Sequence, residues 1–142
     1  MSEELLLKKI NLLPEEIIII IKEYIPNFIL VFLNKTNYIL YHNLIKKKII
    51  RKYESYIRDI IRRDNIFVFE RIFHENYKIW LKNNSYKYKN IIYKNYLVFI
   101  IECCIENGSN RCRMLIDNFL KEHGLLENPH KKNIIKYIKW KN

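Results

Sequence analysis

Glycine and proline are nearly missing from this chain: Gly108 and Gly124 are its only glycines, and Pro14, Pro26 and Pro129 its only prolines, in 142 residues. A many-stranded sheet needs turn formers at short intervals, so this scarcity argues against sandwiches and barrels and leaves helices. Alanine and glutamine are absent altogether, and 27 isoleucines, 19 lysines and 17 asparagines stand where they might have been. Ile, Lys and Asn have the most A/T-rich codons, so a biased genome is the simplest cause. That cause weakens the usual meaning of a net charge of +11 and a pI near 9.5. Drift towards lysine codons produces the same charge without selection for DNA or RNA, and only the patterning of the charge is informative.

Also missing are a secretory leader, a membrane-spanning run and an even cysteine count. The opening MSEELLLKK carries two early glutamates and too short an apolar run for a leader. The longest nearly uncharged apolar segment, residues 96–105, falls far below the roughly 18 residues of a spanning helix. Three cysteines, Cys103, Cys104 and Cys112, make no disulfide framework. The expectation is a protein of the reducing intracellular space, the host cytoplasm once the resemblance below is taken into account, with no membrane partner.

What is present reads as a succession of helices. Pro14 suits a first helical position, and Glu15 and Glu16 follow it where a carboxylate complements the helix dipole. The five consecutive isoleucines, 17–21, favour a strand by propensity. Length and flanks favour a helix, because the segment continues through Lys22, Glu23, Tyr24 and Ile25 to a stop at Pro26. A short helix capped by Asn27 follows, and then a long third helix from about Thr36. Within residues 46–63 a helical wheel puts Ile49, Ile50, Tyr53, Tyr56, Ile57, Ile60 and Ile61 on one face. Lys47, Arg51, Arg58 and Arg62 gather on the opposite face.

The next helix runs from Ile66 to about Leu81 with Phe69, Ile72, Phe73 and Trp80 as core, and residues 82–88 read as a polar loop. Residues 93–107 form a helix that is apolar nearly all round, hence the central buried element of the second half. Gly108 closes it, Ser109 is placed to cap a helix over 110–123, and Gly124 ends that one. Residues 125–130 read as a linker and 131–140 as a last short helix. The pair 96–107 and 109–124 is ankyrin-like in outline, with one unit only. The expected fold is all-α, a small single-domain helical bundle, with residues 1–50 as an N-terminal helical part and 51–142 as a helical body.

Catalytic signals are lacking: no glycine-rich phosphate loop, no serine elbow and no Cys/His pair at a motif spacing. His74-Glu75 opens a metalloprotease-like motif, yet Lys78 stands where the second histidine belongs. Adjacent Cys103 and Cys104 diverge by 100° on a helix, and the spacings to Cys112, His123 and His130 fit no zinc pattern. No enzyme, cofactor or metal site is expected. A cationic face bearing Lys47, Arg51, Arg58 and Arg62, with Tyr86, Tyr88 and Trp80 for stacking, has the residue types of a nucleic-acid binder. In a lysine-biased chain the same face also reads as ordinary solvated surface.

Residues 13–38, LPEEIIIIIKEYIPNFILVFLNKTNY, combine a Leu-Pro, an acidic first turn, an apolar helix, a second proline and a Leu-Asn-Lys. In that order they resemble an F-box, through Leu13, Pro14, Ile17, Ile21, Tyr24, Ile25, Ile29, Leu33 and Lys35. Tyr38 departs from the family's frequent Trp, and Leu33-Asn34 replaces its usual Val-Ser/Cys. The resemblance implies docking to a Skp-type linker of a cullin-RING ubiquitin ligase, with Leu13, Pro14, Ile17, Ile21, Ile25 and Leu33 as partner-binding residues. The whole chain is also similar to a family of uncharacterised paralogous proteins of giant DNA viruses, the mimivirus group. That likeness rests on RDNIFVFE at 63–70, Tyr96, CIEN at 104–107, Cys112-Arg113, NPHKKN at 128–133 and WKN at 140–142. It implies a viral protein acting on a host. The expected function is therefore a non-catalytic adaptor, with a basic nucleic-acid-binding protein as the alternative.

Overall fold

Pro14, extended at φ −53° and ψ 146°, precedes the first helix, α1 (Glu15–Tyr24), as its cap residue instead of occupying its first turn. The isoleucine run is helical, as the flanking signals require. A computed structural model describes residues 12–82 and 85–125, together with the backbone of 134–137. Its chain divides into two compact units, Met1–Tyr53 and Glu54–Asn142. The architecture is mainly helical, with one small sheet in the second unit.

In the first unit α1 is followed by α2 (Asn27–Leu30), α3 (Lys35–Tyr41) and α4 (Asn43–Lys48). Pro26, not Asn27, occupies the cap of α2, whereas Asn34 caps α3 by accepting the Asn37 N–H at 2.8 Å. The helices α3 and α4 pack on α2. Among the described residues of this unit, Leu30, Val31, Tyr38, His42 and Ile45 are buried.

The expected long third helix does not form. It breaks at Ile49 (φ −117°, ψ 31°), passes through a single 3₁₀ turn (Ile50–Lys52) and restarts as α5 (Tyr53–Arg62). A continuous helix would set Lys47 against Arg51 and Lys48 against Lys52 at i, i+4, and like charges at that spacing are destabilising. Two adjacent β-branched isoleucines at the break add little helical preference. The apolar stripe is correct from Ile57 onward, where Ile57, Ile60 and Ile61 are buried, and wrong at Ile50, which is exposed.

The second unit is built around α6 (Ile66–Lys82), α7 (Tyr96–Glu106) and α8 (Asn110–Glu122), which pack on one another pairwise. Phe69, Ile72, Phe73 and Trp80 of α6 are all buried, as are Tyr96 to Ile100, Cys103 and Cys104 of α7. Phe73 meets Phe119 edge to face at 5.0 Å between ring centroids, and Trp80 meets Tyr96 at 5.3 Å. Such contacts add about 1 kcal/mol each to the burial itself. The helix pair α7 and α8 forms as expected.

Three strands correct the sequence reading. β1 (Tyr86–Tyr88) lies in the segment read as a loop, β2 (Ile91–Tyr93) ends on the first residue of the expected 93–107 helix, and β3 (Ile134–Tyr137) lies in the expected last helix. They form an antiparallel sheet in the order β1-β2-β3, with Lys87 opposite Ile92 and Ile92 opposite Lys136, and a bulge between Ile92 and Tyr93. The β1–β2 turn is only Lys89-Asn90, with Lys89 in the left-handed region at φ +51°. No glycine marks that turn, so the hairpin is silent to a search for turn formers.

Three helix ends close alike. After α7, the Gly108 N–H reaches the Ile105 carbonyl and the Ser109 N–H that of Cys104. After α8, Gly124 reaches Lys121 and Leu125 reaches Leu120. After α5, Asp64 reaches Ile61 and Asn65 reaches Ile60. Each is a Schellman closure, which needs a left-handed residue at its C′ position. Gly108 (φ +66°) and Gly124 (φ +62°) supply it twice, and Asp64 (φ +46°) supplies it at the third.

Candidate functional site

The six residues expected to bind a partner all belong to the first unit. Leu13, Pro14, Ile17 and Leu33 are exposed, while Ile21 and Ile25 are half-buried. More telling is the helix that carries two of them: α1 buries none of its ten residues. Five successive isoleucines span more than one turn at 100° per residue, so they surround the helix and cannot all face one core. Ile19 and Ile20 are 53% and 49% exposed beside Ile17 at 43%. Tyr24, Ile29, Phe32, Ile39 and Leu40 of the same unit are exposed as well. Ile19, Ile20, Phe32, Ile39 and Leu40 were not singled out by sequence reasoning, although the length of the isoleucine run was a sufficient signal for the first two.

The expected cationic stripe is divided among two helices and a 3₁₀ turn. Lys47 ends α4 and Arg51 lies in the 3₁₀ turn, while Arg58 and Arg62 belong to α5 beyond the break. Arg58 is also engaged. Its guanidinium donates to the Ser55 hydroxyl at 2.8 Å, pairs with Glu54 at 3.9 Å and lies 5.1 Å from the centre of the Tyr88 ring. Arg62 pairs with Asp59 at 3.4 Å. Tyr86, named for stacking on a base, instead donates its hydroxyl to Glu54 at 2.8 Å and packs edge to face on Tyr96 at 4.6 Å. Burial first and the Glu54 carboxylate second push the Tyr86 phenol above its ordinary range. Trp80 is buried.

Cys103, Cys104 and Cys112 are free and buried. Burial pushes the Cys103 thiol up to about 11 and the Cys104 thiol to about 12. Burial and the nearby Asp64 carboxylate raise Cys112 as well. Thiols held protonated are poor nucleophiles and poor metal ligands. Among the described residues no group of three His, Cys, Asp or Glu side chains is placed to hold a metal ion. Likewise no helix among them is long and apolar enough to cross a membrane.

Asp64 organises the junction of α5, α6 and α8. Its carboxylate accepts the Cys112 N–H at 2.9 Å and the Arg111 N–H at 3.2 Å, capping α8 from another part of the chain. Arg111 returns two bonds, from Nε to the Asp64 carboxylate at 3.3 Å and from its terminal nitrogen to the Asp64 carbonyl at 2.7 Å. Ser109, the local cap expected from sequence, makes no capping bond and donates its hydroxyl to the Ile61 carbonyl. These residues fall within RDNIFVFE at 63–70 and Cys112-Arg113, two of the segments singled out in the sequence, or adjoin them. Their geometry is that of a structural joint. The motif NPHKKN at 128–133, His130 and the terminal WKN lie outside the described residues.

Comparison with known protein families, curated proteins and solved structures finds no match to this chain.

Proposed function

We propose that the first unit docks a protein partner and that the chain works by adhesion, without chemistry of its own. The observation that carries this is the exposure of α1: a helix whose sequence is half isoleucine buries none of its residues. Full burial of an isoleucine side chain stabilises by about 1.5–3 kcal/mol, so covering the half-exposed Ile17, Ile19 and Ile20 would contribute about 3 kcal/mol to a complex. The F-box-like order of Leu13, Pro14, Ile17, Ile21, Ile25 and Leu33 names a host Skp-type linker as the partner to test. The alternative, nucleic-acid binding, was read from one continuous helix over Lys47, Arg51, Arg58 and Arg62, and the break at Ile49 interrupts that helix.

The test is Ile17→Asp and Ile20→Asp, each in the full-length chain, with co-purification against a Skp-type protein. Loss of the complex is expected with stability changed by only about 0.5 kcal/mol, since both positions are at the surface. Unfolding by either substitution, or no complex with the unaltered protein, overturns the reading.

A further inference from the structure

The thirty positions from 24 to 53 contain no Asp or Glu. Within them Lys46, Lys47, Lys48, Arg51 and Lys52 are all exposed. The arginines show that this is more than a lysine-rich composition. Arg58, Arg62, Arg63, Arg71, Arg111 and Arg113 each hold a carboxylate within 4.0 Å, and all six lie in the second unit. Arg51 is the seventh arginine, and among the described residues it is the one with no ion pair recorded. Among the described residues, six arginines are paired with carboxylates and this cluster has no acidic partner.

The cluster is also not purely polar. Ile50 stands in its midst at 72% exposure, displaced outward by the 3₁₀ turn. Ile39 and Leu40, 48% and 63% exposed, lie about two turns before Lys46 and Lys47, because His42 keeps right-handed helical backbone between α3 and α4. Apolar contacts ringed by charge are the make-up of a protein interface, whereas a nucleic-acid interface is more polar throughout. The exposed carboxylates of α1, Glu15, Glu16 and Glu23, disfavour an anionic lipid surface for the unit as a whole.

We infer that the segment 39–52 docks an acidic amphipathic segment of a protein partner, its carboxylates over Lys47, Lys48 and Arg51 and its apolar side over Ile39, Leu40 and Ile50. This rests on the docking reading of the first unit and adds the chemistry of what is docked. The probe is a short fluorescein-labelled helical peptide with Glu on one face and Leu on the other, titrated with the full-length protein. A copy with Gln for Glu, an oligothymidine and phosphatidylserine vesicles serve as comparisons. Exposed ion pairs are individually weak, so removing three together should weaken peptide binding about tenfold. That loss is expected in K47Q/K48Q/R51Q, with the Gln peptide, and for the unaltered protein in about 1 M salt, where the Debye length is about 3 Å. The salt arm needs no variant to fold. Ile50→Asn should weaken the peptide as well. Ile17→Asp should leave the peptide bound while removing a Skp-type protein, which separates failure of this inference from failure of the α1 reading. No binding of the Glu peptide at low salt, or tighter binding of the oligonucleotide or the vesicles, overturns it.

Discussion

Asp64 adopts a left-handed backbone that glycine would adopt at less cost, and the price is offset by what its carboxylate does for α8. A left-handed conformation costs a side-chain-bearing residue about 1–2 kcal/mol. Loss of a helix cap costs about 1 kcal/mol. Asp64→Gly should therefore relieve the first while losing the second, a net change of under about 1 kcal/mol, whereas Asp64→Ala keeps the strain and loses the cap, for about 1–2 kcal/mol. Urea unfolding of the two variants separates the terms, and equal losses would refute the account. The pH dependence follows from the same bonds. Burial opposes ionisation of Asp64, and the hydrogen bonds from Cys112 and Arg111 outweigh it, holding the group below 3.8. A depressed folded pKa contributes stability that is present above the unfolded value and lost as pH falls below about 4. Asp64→Asn should flatten that acid limb and leave the slope near neutrality unchanged. The sequence offered Ser109 as the cap of α8, because a local cap can be read from spacing. A cap donated by a residue 47 or 48 positions away has no such signal.

At the scale of elements, helices were legible and the sheet was not. The helices α6, α7 and α8 follow from apolar periodicity and from Gly108 and Gly124, each of which answers a left-handed closure. The strands are three or four residues long, too short for alternation to stand out. Their turn uses Lys89 at φ +51°, where glycine would have announced a hairpin. Lys89→Gly should then stabilise the protein by up to about 1 kcal/mol, less the contact of the Lys89 ammonium 5.4 Å from the Tyr88 ring centre. A lower melting temperature would show that this contact outweighs the strain. The break at Ile49 was hidden for a different reason. A helical wheel rewards the separation of apolar and charged positions, and it is blind to the repulsion between Lys47 and Arg51 or Lys48 and Lys52 that the same arrangement creates.

Across the whole molecule the two units differ in how they are held. Amide exchange should show it: protection in α7, with seven buried residues, should approach that of global unfolding, while α1, with none, should open at far lower free energy. Equal protection in the two helices would mean that α1 is covered in solution, by a second copy or otherwise, and would call for the oligomeric state to be measured. The candidate docking surface was half legible. Leu13, Pro14, Ile17 and Leu33 were named from an order of residues and are exposed; the length of the isoleucine run was signal enough for Ile19 and Ile20, whereas Ile50 and the basic cluster around Arg51 emerged only once the helices had ends and faces. By itself the sequence determined that the chain is mainly helical, that Phe69, Ile72, Phe73 and Trp80 are core, and that Cys103 and Cys104 lie in its most apolar part. These depend on local periodicity and composition, which each segment carries with it. Only the tertiary structure decided that Asp64 caps α8 and pairs with Arg111, and that residues 86–93 and 134–137 pair as strands. Those outcomes depend on which distant groups meet, and no single segment contains that information.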